Sequence, residues 1–136
     1  MFKNRSRLAI AAGAIVVGTV VSATPAWAWV HAASDRVDGY ADWDWGPTFL
    51  ANVDMRVQDR RCNGTAVYVR LYVYPKNQSE PVKGTRRYNY TGCGTTQSWD
   101  DLNWNSSYQI AGVRVHACEE PGVNCVSSSY HDNPTN

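Results

Sequence analysis

After residue 28 the chain has no long apolar run and no window of apolar residues at helical spacing between caps. This argues against a helical bundle or a spanning helix in that part. Phe and Met occur only twice each, so core volume must come from Val, Leu, Tyr and Trp. Catalytic signatures are missing too: there is no Gly-x-Ser-x-Gly elbow, and Gly92-Cys93-Gly94 has neither the lysine nor the helix of a phosphate loop. No two of the four cysteines lie two to four positions apart, and no histidine pair accompanies them, unlike a zinc site. Thirteen basic residues nearly balance twelve acidic ones, and no concentrated basic field calls for nucleic acid. The chain is therefore expected to be non-catalytic, without cofactor or metal and without a nucleic-acid partner.

What is present begins with an export signature. Lys3, Arg5 and Arg7 precede an apolar stretch from Leu8 to Ala23, and Ala26-Trp27-Ala28 places small residues where a signal peptidase reads. The stretch is about 16 residues where a membrane span needs roughly 20, so residues 1–28 are expected to be a cleaved signal peptide that leaves no membrane anchor. Removing Lys3, Arg5 and Arg7 leaves 10 basic residues against 12 acidic, a net charge of −2. Cys62, Cys93, Cys118 and Cys125 all follow the cut, an even number that reads as two disulfides in an oxidising, extracellular compartment. Of the three possible pairings, Cys118 with Cys125 is favoured because Glu120-Pro121-Gly122-Val123 is a turn signal between them. Cys62 then pairs with Cys93. Chain entropy gives about 3.7 kcal/mol for the longer loop and about 2.5 for the shorter.

Period-2 patterning dominates the remainder. Val37, Gly39, Ala41, Trp43 and Trp45 alternate with Asp38, Tyr40, Asp42 and Asp44, and Gly46-Pro47 ends that strand. Phe49, Ala51, Val53, Met55 and Val57 are expected inside, with Leu50, Asn52, Asp54 and Arg56 on the wet face. Thr65, Val67, Val69, Leu71 and Val73 form a third apolar face, expected to pair with the second as a hairpin across Asn63-Gly64. Shorter strands are expected over 85–90 and 95–99, then one carrying Ala111, Val113, Val115 and Ala117, with 123–128 returning beside it. The fold expected is all-β: a small disulfide-stabilised antiparallel β-sandwich, with a small β-barrel as the alternative. Its single β domain spans 37–126, between an N-terminal tail at 29–36 and a flexible C-terminal tail at 127–136.

The candidate site is aromatic. Tyr68, Tyr72 and Tyr74 share one side of a strand with Arg70, and Tyr88 and Tyr90 share one side of the next with Arg86. If these strands pair, they make a Tyr and Arg surface suited to stacking on sugar rings or peptides. Trp99 and Trp104 flank Asp100-Asp101-Leu102-Asn103, a further candidate sugar-binding edge on a loop. Asp42 and Asp44 lie about 7 Å apart on one strand face, within the range of glycosidase carboxylates, although spacing alone carries little.

The Ala- and Val-rich signal, Ala26-Trp27-Ala28 and the short Cys118 to Cys125 loop together resemble the small exported proteins of filamentous actinobacteria. The resemblance is general and implies export more than any activity. The expected function is a secreted, non-catalytic β domain binding carbohydrate, cell wall or another protein. A protease inhibitor or toxin-like effector presenting Glu119 to Asn124 is the alternative, and a small extracellular hydrolase is a third.

Overall fold

A computed structural model describes residues 29–136; the signal-peptide expectation lies outside the described residues. Ten strands make up the described fold and no helix occurs among these residues. They are β1 (Val30–Ala33), β2 (Val37–Trp45), β3 (Phe49–Asp59), β4 (Val67–Pro75), β5 (Val82–Lys83), β6 (Arg87–Asn89), β7 (Thr96–Asn105), β8 (Ile110–Glu119), β9 (Val123–Ser127) and β10 (His131–Asp132). One sheet runs β1-β2-β3-β7. The other is built on the central pair β4 and β8, with β5 and β6 beside β4 and with β9 and β10 beside β8. All the pairings are antiparallel, and the two sheets face each other as an open sandwich, not a closed barrel.

The sandwich follows from where the apolar faces must go. β3 and β4 each carry a nearly unbroken buried row, Val53, Met55 and Val57 in one and Val67, Val69, Leu71 and Val73 in the other. A sheet stabilises itself by turning such a face onto another sheet. The expected hairpin between them is therefore absent. β3 pairs with β2 and β7, β4 pairs with β8, and residues 60–66 carry the chain from one sheet to the other. Val113, Val115 and Ala117 of β8 complete the core against Ala32, Val37 and Ala41. At Gly39 the sheets approach closely, for a Cβ there would lie 2.7 Å from the Cβ of Ala117.

The disulfides pair as expected. Cys62–Cys93 joins the β3–β4 crossing to the β6–β7 crossing, so it ties two of the three sheet-to-sheet passages together. Cys118–Cys125 closes the β8–β9 hairpin within one sheet.

Two departures come from β-bulges. Between Leu50 and Val53 the β3 strand spends an extra residue at Asn52, whose φ is +47°, and the inward side switches. Leu50 is consequently fully buried and Phe49 is 42% exposed, the reverse of the alternation read from sequence. On the partner strand Asp101, with φ +54°, makes the matching irregularity. Residues 96–105 are thus one continuous strand, not a short strand and a loop.

The ends also belong to the sheets. Val30–Ala33 pairs with Asp38–Ala41, and the Arg56 guanidinium lies 4.4 Å above the Trp29 ring, so residues 29–36 are not a free tail. At the other end His131 and Asp132 pair with β8, and the Asn133 amide donates to the carbonyls of Gly46 and Ile110, 2.9 Å each. That amide caps carbonyls from both halves of the sandwich, which fixes a segment expected to be flexible.

Candidate functional site

Strand geometry decides which side chains meet. On β4 the even residues Tyr68, Arg70, Tyr72 and Tyr74 point away from the core, and antiparallel register sets each against a partner. Tyr68 lies opposite Tyr88 on one side and Cys118 on the other, Arg70 opposite His116, Tyr72 between Lys83 and Arg114, and Tyr74 opposite Gly112. The expected pairing of the two tyrosine strands therefore exists, and the outer face of this sheet carries three aromatic clusters, with Arg70 between the rings of Tyr68 and Tyr72. Tyr90 stacks on Tyr88 at 5.1 Å, Tyr88 tilts against Tyr68 at 5.3 Å, and Tyr72 stacks on His116 at 4.4 Å. Tyr130 meets Tyr74 edge-on at 5.3 Å; it lies where a Cβ on Gly112 would stand, so only glycine admits it.

The rings are graded in exposure. Tyr68 is buried as the support of the others, Tyr72, Tyr74 and Tyr88 are half-buried, and Tyr90 is 70% exposed. Cations lie over the rings. Arg86 is 4.7 Å from the Tyr68 centroid, Arg70 is 5.0 Å from Tyr72 and Lys83 is 5.7 Å from Tyr72. Arg70 also donates to the Tyr72 hydroxyl at 2.9 Å, and Arg86 donates to the Pro121 carbonyl at 3.1 Å. Such cation–ring contacts hold both partners in place at modest gain, about 0.5–1 kcal/mol when exposed.

His116 reports on this environment. Its Nε2 lies 3.1 Å from the Cys118 sulfur and its Nδ1 lies 2.7 Å from the Ser127 hydroxyl. Burial pushes the imidazole below its usual value, and the nearby charges of Arg70, Lys83 and Arg86 push it further in the same direction. The ligand atoms of His116, Cys118 and Cys125 lie within 4.8 Å of one another, but both sulfurs are tied in the disulfide and offer no thiolate.

Trp99 and Trp104 do not join this face. They sit on β7 in the opposite sheet, half-buried and packed with Leu102 onto the core, because the bulge at Asp101 returns all three to the inward side. Trp104 lines a small opening of about 90 Å³ at the sandwich edge, with Val53, Met55, Leu71 and Gly84.

The acids gather on the outer face of that sheet. Asp42 lies directly opposite Asp54; Asp44 accepts from Asn52 at 2.7 Å, and Asp54 accepts from the Asp101 amide at 2.9 Å. Burial raises the Asp42 carboxyl, the Trp43 amide opposes it, and the Asp44 and Asp54 charges raise it further.

One constellation gave no signal in the sequence. Glu119, in the proposed inhibitory loop, is 2% exposed. It accepts from Asn63 at 2.6 Å, from Asn124, and from Arg36 at 3.2 Å. Burial alone would raise its pKa; the amides of Asn124 and Asn63 and the Arg36 charge outweigh it and hold the carboxyl below the usual range. The donors come from three separate segments, the bend before β2, the β3–β4 crossing and the start of β9, which spacing along the chain does not reveal. This carboxylate is turned inward, leaving only residues 120–124 of that loop outward. No family model, characterised protein or solved structure matches the chain.

Proposed function

We propose that the protein is a secreted, non-catalytic binding domain that holds an extracellular carbohydrate or cell-wall polymer on the outer face of the β4–β8 sheet. The observation that carries this reading is the set of rings from Tyr90 through Tyr88 and Tyr68 to Tyr72 and Tyr74, on one side of one sheet. The outward rings of Tyr72, Tyr74, Tyr88 and Tyr90 offer apolar area at little entropic cost, since each tyrosine has only two torsions to fix. Their rigid backing suits them to a long ligand lying across strands. The two disulfides agree with export to an oxidising space.

Retention on insoluble cell-wall polysaccharide tests the reading. Tyr72→Ala with Tyr88→Ala should lower retention at least tenfold without unfolding the domain, as checked by thermal melting. Unchanged retention in the folded double variant would overturn it.

A further inference from the structure

We infer that the polymer held by this face is a polysaccharide bearing carboxylates on its sugar rings, such as a uronic-acid chain. The inference rests on the binding reading above and adds the chemistry of the ligand. It begins from an imbalance: the mature chain is expected to be net acidic, yet its charges divide unevenly between the sheets, with Arg56 of β3 and Glu119 and Asp132 of β8 and β10 as exceptions. Asp38, Asp42, Asp44, Asp54, Asp100 and Asp101 belong to strands of the β1-β2-β3-β7 sheet, whereas Arg70, Lys83, Arg86 and Arg114 lie on or beside strands of the other.

The cations of the aromatic face have no acidic partners of their own. The ion pairs among the described residues are Arg36 with Glu119 at 3.2 Å and Arg61 with Asp35 at 3.8 Å. Neither involves Arg70, Lys83, Arg86 or Arg114. Moreover, the Nε atoms of Arg70 and Arg114 are buried and find no hydrogen-bond partner. Those Nε atoms are sealed from solvent, so an incoming oxygen anion would meet the terminal N–H groups, of which Arg70 gives one to the Tyr72 hydroxyl. His116, between these cations, is driven toward its neutral form partly by their charge.

Rings and cations together narrow the class of anion. Tyr72 is half-buried with His116 stacked on it at 4.4 Å and lies 5.0 Å from Arg70 and 5.7 Å from Lys83, so its outward edge and two positive charges meet within one sugar's reach. A uronic acid presents both complements on one residue: an apolar sugar face for the tyrosine and a carboxylate for the guanidinium. A polyol phosphate chain has the charge without the ring, and a neutral glycan has the ring without the charge.

Titration calorimetry with polygalacturonate, its methyl ester and poly(glycerol phosphate) tests this. The wild type should bind polygalacturonate with an affinity that falls as salt rises, and bind the uncharged ester at least tenfold more weakly. Arg70→Gln with Lys83→Gln should remove that preference; Lys83→Gln alone, at an exposed position, should reduce it severalfold and covers the case where the double variant misfolds. Saturation with polygalacturonate should also raise the His116 pKa, followed by NMR, because the ligand cancels the charges that lower it. Equal affinity for acid and ester, with binding still lost in the tyrosine double variant, overturns the carboxylate assignment and leaves the aromatic site standing. Tighter binding to poly(glycerol phosphate), or to a single-stranded oligonucleotide, overturns it in favour of another anion. Failure of every polymer to bind removes the site itself.

Discussion

The two sheets share one core and turn opposite faces to solvent. On the β1-β2-β3-β7 sheet the outward aspartates crowd one another, with Asp42 directly across from Asp54. On the β4–β8 sheet the outward cations are spread among tyrosines that shield and orient them. Like charges facing each other across a strand pair cost a few tenths of a kcal/mol, while cation–ring pairs gain about as much. The comparison teaches that the core sets the fold and leaves each outer face free to take its own chemistry.

The strongest way to break the comparison is to uncouple the sheets. Cys62→Ala with Cys93→Ala releases the link between the two crossings and should cost about 3.7 kcal/mol, lowering the melting temperature by about 15 °C. Cys118→Ala with Cys125→Ala, within one sheet, should cost only about 2.5 kcal/mol. Equal losses would show that the sheets are not held by the first bridge.

The second prediction concerns Glu119. Its folded pKa is depressed, so its contribution is fully present above the unfolded carboxyl value of about 4.3 and disappears as pH falls through the lower folded value. Glu119→Gln should therefore be less stable than wild type at pH 7, and the two should converge in acid. Denaturant titrations from pH 7 down to about 2 measure this, and parallel curves would remove the role assigned to the carboxylate.

The smallest effect is expected at Asp42, where the sign reverses. Its folded pKa is raised, so its ionised form opposes folding at neutral pH and stops doing so in acid. Asp42→Asn should stabilise by roughly 0.5 kcal/mol at pH 7, with the gain vanishing below the ordinary carboxyl range. The matching change on the cationic face, Lys83→Gln, should bring no such gain.

Much of this was legible from the residues. Alternation over Val37–Trp45, Val67–Val73 and Val113–Ala117 placed the right side chains inside, because in unbroken strands the pleat alone assigns each residue to a face; at the start of β8 an irregularity buries Ile110 instead of Ala111. The tyrosine face was legible for the same reason, although its grading was not: Tyr68 is covered by neighbours distant along the chain, Arg86 and Tyr88 among them. Asn52 and Asp101 broke the reading where single residues in the left-handed region shift the count, which misplaced Leu50 and Phe49 and turned a strand into an expected loop around Trp99 and Trp104. The strands at both ends were missed because two to four residues carry too few alternations, and they are held by pairing to distant strands. The Glu119 cluster was invisible, since its donors are brought together only by the finished fold.

The paired bulges of β3 and β7 have a further consequence for how the molecule meets its own copies. β7 is the outer strand of its sheet, with one edge of backbone amides and carbonyls not paired within that sheet. A long, flat strand there would invite another chain to add itself and begin a fibre. The irregularity at Asp101 interrupts that edge, and the exposed charges of Asp100 and Asp101 make a neighbouring copy, carrying the same two charges, an unfavourable guest. The kink that obscured the strand in the sequence thus guards against aggregation.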